Sequence, residues 1–326
     1  MLVRIITITL FLSSLILPSS LMANPAIEAF DKNKFDKAKQ LFLKQKSSPE
    51  QQYYLGRIAI AEADLDEAEE RLEEAVKAAP EQADYHYWYG SVCLRQAANA
   101  SIFSAPGYAS DGKEHLLRAI ELDPSHIQAM RNMIAFYSQA PSIAGGSIEK
   151  ALQMADKLEA VSIKDGLISK LDIYQKEEQI DKLNETAKQI EEKFNKDAQA
   201  LVAVGFSYQQ NEQFEKAFRT FQAASEIDST DSAQQTAKLT SLYQIGRTAV
   251  LSKQNLDIGK NALEKYMTMQ AGTGLPSKDW ARYRLAMIYH ALGNLEKTRA
   301  LIDEIEDDQD EALTKQLKKF KRKLKS

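Results

Sequence analysis

Apolar and small residues recur at helical spacing along this chain, grouped into two-helix modules of about 34 residues. The clearest module runs over 198–229. Its first half carries Leu201, Val204, Gly205 and Tyr208, and its second half Phe214, Ala217, Phe221 and Ala224. A second copy reads Leu55, Gly56, Ala59, Leu65, Ala68, Leu72, Ala75 and Pro80. In each, three- and four-residue steps put a large, a small and an aromatic residue on one face of the first helix. A matching stripe falls on the second. Gly56, Gly90, Gly205 and Gly246 take equivalent places, where paired helices are expected to approach most closely.

The remaining modules vary around this pattern. The first is short: Ala26 to Phe30, then Phe35, Ala38 and Phe42, ended by Pro49. The third opens on Ala83 to Gly90 and closes on Leu116, Ala119 and Pro124. Its inter-helix turn is expected to be about ten residues longer than usual, because Ser104 to Gly112 is rich in breakers. The fourth carries Met130, Met133 and Tyr137, a second lengthened turn over 139–147, then Ala151, Ala155 and Leu158. The fifth keeps the period (Leu167, Leu171, Tyr174, Ile180, Leu183, Ala187, Ile190) without the usual small residues. The seventh reads Ile245, Gly246, Ala249, Ile258, Ala262 and Tyr266, its first helix starting near Ser232. The eighth reads Leu285, Ala286, Tyr289, Leu295, Thr298 and Ile302. A polar helix over 309–326, with Leu313, Leu317 and Phe320 on one face, is expected to cap the last module.

The spacing quoted for 198–229 and 55–80 resembles the tetratricopeptide-repeat family. The resemblance implies an all-α, right-handed superhelical solenoid of about eight helix pairs over 24–308, closed by the capping helix. It also implies a protein-binding role, with a partner peptide or helix held in a concave groove lined by first helices. On that pattern the groove positions are Tyr53 and Arg57, Asp84 and Tyr87, Gln128 and Arg131, and Gln199 and Phe206. Tyr and Arg suit such a surface because they join apolar area to directional hydrogen bonds. Phe103, Tyr108 and Ile143, in the two long turns, are expected to form an apolar ledge on one edge, or else to fold back and fill a gap between modules.

Composition adds little to this picture. The 326 residues are 44% hydrophobic and 27% charged, with a net charge of −4. Nothing there favours nucleic acid. The first 23 residues are a different matter. Arg4 precedes the apolar stretch Ile5 to Leu17 and a cleavage point after Ala23. As a helix this stretch spans about 20 Å, too short for a bilayer core, so it reads as a secretory leader, with an uncleaved anchor as the alternative. The mature chain is then a periplasmic protein with no integral membrane span.

Chemistry is sparse. Cys93 is the lone cysteine and sits at a core position. His86, His115 and His126 share a neighbourhood without metal-ligand spacing, and His86 takes a packing position. Gly145-Gly146-Ser147 before a helix reads as a cap, with an anion cradle as the alternative. No nucleophile elbow or Walker loop occurs. The expectation is therefore a non-enzymatic scaffold of the bacterial envelope with no cofactor and no metal. The alternatives are a self-assembling structural solenoid and, less favoured, a regulator or domain of an envelope hydrolase. The sequence leaves oligomeric state and partner identity open.

Overall fold

The computed structural model of the protein describes residues 24–269, 274–306 and 310–324. The leader at 1–23 and part of the 272–276 loop lie outside the described residues. Everything described is helix, turn or loop, with no strand among the described residues. The chain divides into two compact units, one up to Leu122 and one from Asp123 onward.

The first unit holds three helix pairs: α1 (Pro25–Asp31) with α2 (Phe35–Leu43), α3 (Pro49–Ala61) with α4 (Leu65–Ala78), and α5 (Ala83–Asn99) with α6 (Ala105–Leu122). The second holds five. These are α7 (Ile127–Gln139) with α8 (Ile148–Val161), α9 (Ile163–Lys176) with α10 (Ile180–Lys193), and α11 (Ala198–Gln210) with α12 (Phe214–Glu226). They continue with α13 (Ser232–Ser252) and α14 (Leu256–Thr268), then α15 (Lys278–Ala291) and α16 (Leu295–Asp303), before a last described helix α17 (Glu311–Lys323). Within each unit a first helix packs on its own partner and on the first helix of the next pair. Neither face of a pair is therefore buried without its neighbours.

Helix boundaries follow local chemistry. Ser48, Asp64, Asp197 and Asp310 cap their helices by accepting from the backbone N–H three residues on, at 3.0–3.1 Å for Ser48, Asp64 and Asp197 and 2.9 Å for Asp310. The tight turns inside five pairs share one geometry. A residue in the left-handed region (Asn33, Ala63, Glu178, Glu212, Gly293) precedes an N–H that reaches back five residues. Asp64 N–H donates to Ala59 O and Gln213 N–H to Tyr208 O, both at 2.9 Å, which ends the first helix cleanly.

Close approach explains the glycines read from the sequence. A Cβ on Gly205 would lie 2.5 Å from the Phe221 ring, so α12 docks against bare backbone. Phe221 is thereby fully buried in a core that runs from Leu167 to Ile288. Burying such a ring stabilises by roughly 1.5–3 kcal/mol.

The third pair departs from the expected turn. Only 100–104 separate its helices, and Ala105 to Gly112 is the first part of α6. Pro106 and Gly107 sit in the first turn, where a missing N–H costs nothing. Gly112 meets Gly90 backbone to backbone, an added Cβ on Gly112 falling 2.9 Å from Gly90 O. The breakers thus lengthen α6 rather than the turn. Tyr108, expected on a loop, is a half-buried helical residue. The turn after α7 is a true loop with a 3-10 turn at Ser142–Ala144. Its Gly145, Gly146 and Ser147 N–H groups donate to Ser142 O, Pro141 O and Tyr137 O at 3.0, 3.1 and 2.7 Å. These three amides serve the loop itself, and Ser147 caps α8 through Lys150 N–H.

Candidate functional site

In the first unit the first-helix face is aromatic. The Arg57 guanidinium on α3 lies 4.6 Å from the Phe30 ring and 4.6 Å from the Trp88 ring, and donates from Nη1 to the Tyr53 hydroxyl at 3.1 Å. Its Nε is buried with no acceptor. Tyr53 is only 8% exposed and stacks on Tyr85 at 4.7 Å. Burial pushes its phenol up to about 12, with Arg57 opposing. Tyr53 is thus wall rather than contact surface. Tyr87 stands half-buried, edge-on to Trp88, with its phenol pushed up by burial, and Asp84 is exposed at the head of α5.

In the second unit Gln128, Arg131 and Gln199 come together. With Lys164, Asp165 and Ile168 they line a concave pocket of about 430 Å³ formed by α7, α9 and α11. Ion pairs set its polar side chains. Arg131 Nη2 reaches Asp165 Oδ1 at 2.6 Å, while Ser162 Oγ donates to the other Asp165 oxygen at 2.7 Å. Lys164 Nζ reaches Asp197 Oδ2 at 2.8 Å, and Gln234 Nε2 donates to Oδ1 at 3.0 Å. Burial pushes the Asp197 carboxyl up. The Lys164, Gln234 and Ala200 N–H contacts outweigh it and hold the pKa below the ordinary carboxylate value. A second hollow of about 560 Å³ continues along the same helices past Ser138, Asp172, Gln175 and Gln210. Its Asp172 carboxyl is raised by desolvation against the nearby Arg131 charge. Phe206 is half-buried and meets Phe221 edge-on at 5.7 Å, so its ring serves the α11–α12 packing.

Two arginines outside the expected set stand out on α13 and α15. Arg247 Nη1 donates to Gln209 Oε1 at 2.8 Å and Gln244 Oε1 at 3.4 Å, both neutral acceptors. Arg284 lies 5.6 Å from both the Trp280 and Tyr283 rings, and its Nε is buried without an acceptor. Burial, then the neighbouring Arg284 charge, lowers the Arg247 pKa. Among the described residues neither guanidinium is ion-paired with a carboxylate. A sequence signal for Arg247 existed: it follows Gly246 as Arg57 follows Gly56. Lys164, Asp165 and Asp172 escaped because the fifth module lacks the small-residue landmarks that set the register.

The histidines separate. His86 and His115 meet across α5 and α6, whereas His126 caps α7 by accepting from Ala129 N–H at 3.2 Å. Cys93 is fully buried, its thiol pushed up to about 12 by desolvation. Phe103 and Ile143 are 90% and 99% exposed on their loops, so neither fills a gap between helices. No helix among the described residues is long and apolar enough to cross a membrane.

No family model matches the sequence, and no curated protein is significantly similar to it. Solved structures do resemble it. A tetratricopeptide repeat protein from Parabacteroides merdae is 12% identical, over 81% of this chain and 96% of that one, with a TM-score of 0.52. The apo form of the quorum sensor NprR from B. thuringiensis is 14% identical, over 92% of this chain and 80% of that one, with a TM-score of 0.51. At such identities the likeness is one of fold. The chain is all-α and has the tetratricopeptide-repeat fold.

Proposed function

We propose that this protein is a non-enzymatic scaffold of the bacterial cell envelope, exported by the leader at 1–23, that holds a partner protein on its first-helix faces. The partner offers a peptide or helix bearing carboxylates. One observation carries this reading: Arg247 and Arg284 are half-buried on adjacent first helices with donors left over, and no acid among the described residues pairs with either. A half-buried guanidinium that meets only neutral acceptors or aromatic rings gains a charge-assisted hydrogen bond when a carboxylate arrives from outside. Gln128, Arg131 and Gln199 provide polar contacts further along the same set of first helices, while Asp84 and Tyr87 do so in the first unit. The near-neutral charge balance gives no general attraction for nucleic acid, so the arginines act locally rather than as a field.

Photo-crosslinking side chains placed at Gln128 and Gln199, and at Lys188 on the outer helix α10, test this in intact cells. One dominant adduct from Gln128 and Gln199, absent from Lys188, is expected. Reversing Arg247→Glu and Arg284→Glu together is expected to weaken capture by at least about 30-fold, near 2 kcal/mol, with helicity unchanged. Equal adducts from Lys188, or capture indifferent to the reversal, would refute the reading.

A further inference from the structure

The contact between α5 and α6 contains a proton count that only some protonation states satisfy. His86 is 5% exposed, and its Nε2 lies 2.9 Å from the Pro80 carbonyl oxygen. Its Nδ1 lies 2.7 Å from Nδ1 of His115. A carbonyl oxygen only accepts, so His86 Nε2 carries the hydrogen. A neutral imidazole has one N–H, which makes His86 Nδ1 the acceptor and His115 Nδ1 the donor. A first added proton goes to His115 Nε2 and leaves this arrangement intact. A second has only His86 Nδ1 to occupy. There it would set two N–H groups and two positive rings head to head at 2.7 Å, where no hydrogen bond is possible.

We propose that the His86–His115 contact is an acid-sensitive latch on the first turn of α5: it closes with up to one added proton and parts with two. Parting frees the α5 segment that carries Asp84 and Tyr87. The proposal concerns the helix contact alone and stands whether or not that face binds a partner.

The surroundings set the direction. Tyr89 meets the His115 ring edge-on at 4.6 Å. Glu73 from α4 and Asp111 and Glu114 from α6 favour the charged ring, but burial, then His86, outweigh them and lower the His115 pKa. Beside the contact, Arg118 bridges the largely exposed Glu81 at 3.1 Å and adds little. A histidine whose folded pKa lies below its unfolded value contributes fully above about pH 6.5. Its contribution falls as pH drops from there toward the folded pKa.

Hydrogen exchange of the full chain at pH 7.5 and 5.0, corrected for intrinsic rates, reads the latch. If the closed contact binds one proton fewer than the open one, protection of 83–99 and 105–122 is expected to fall at least about thirty-fold. The α11–α12 segment serves as the unchanged reference. His115→Gln keeps a group that donates to His86 or accepts from it without titrating, so its protection at pH 7.5 should persist at pH 5.0. Unchanged protection in the wild type, or an equal acid loss in the variant, would overturn the proposal. Nitrogen-15 NMR of the wild-type rings needs no substitution. It should find Nε2–H on His86 and Nδ1–H on His115 at pH 7.5, and the opposite tautomers would overturn the proposal as well.

Discussion

Ala63 and Gly293 occupy the same left-handed turn position, at φ 62° and 77°, and only glycine is suited to it. An L side chain there crowds the following carbonyl at a cost of roughly 1–2 kcal/mol, whereas glycine gives up only backbone entropy. Asn33 tolerates the position better than Glu178 or Glu212, because a short amide can bond locally. Ala63→Gly is therefore expected to stabilise the protein by about 0.5–1 kcal/mol, and Gly293→Ala to destabilise it by a similar amount. Denaturant midpoints measured side by side check this. A loss of stability in Ala63→Gly would mean that residue 63 does not hold the left-handed turn position described.

Helix pairs were legible in the sequence wherever a small residue marked the approach. Gly205 against Phe221 is the clearest case: the spacing named both, and a Cβ at 205 has no room. Gly205→Leu is expected to cost about 1–3 kcal/mol by overpacking, read as a lowered melting temperature. An unchanged melting temperature would contradict the α11–α12 docking. The same cue misled at 104–112, where Pro106, Gly107 and Gly112 look like loop residues. Proline is harmless in a first helical turn, and Gly112 is needed because Gly90 backs directly onto it. Local composition does not distinguish a glycine that bends the chain from one that admits a neighbour, since only the facing helix decides. The candidate site was legible to the same degree. Gln128, Arg131 and Gln199 were placed by register, but Arg247 and Arg284 stand out only because no acid among the described residues pairs with them, which no spacing reveals. The sequence placed His86 and His115 in one neighbourhood, but their Nδ1–Nδ1 contact depends on how the two side chains meet across α5 and α6, which spacing does not give.

An array of helix pairs ends where a face no longer has a neighbour, and α17 supplies one for the pair α15–α16. Leu313 and Phe320 are buried against Tyr283, Ala286 and Ile302, with Phe320 edge-on to Tyr283 at 5.9 Å and to His290 at 5.5 Å. Asp310 secures the start of α17 twice, accepting from Leu313 N–H at 2.9 Å and from Trp280 Nε1 at 2.7 Å. Lys318 and Lys321 are exposed on the same helix. Packing and charge on this helix are thus separable. Phe320→Ala is expected to lose about 3 kcal/mol through the emptied ring site, whereas Lys318→Glu with Lys321→Glu should change stability by no more than about 0.5 kcal/mol. Because neighbours in such arrays interact mainly with the next pair, faster hydrogen exchange in Phe320→Ala should concentrate in α15 and α16 and leave α11 and α12 unaffected. Removing 310–326 should bare Tyr283, Ala286 and Ile302 and promote self-association, seen as a rise in mass by light scattering with protein concentration. If the truncated chain keeps its mass and the Phe320→Ala chain its stability, α17 is an appendage and the array is closed by α16 alone.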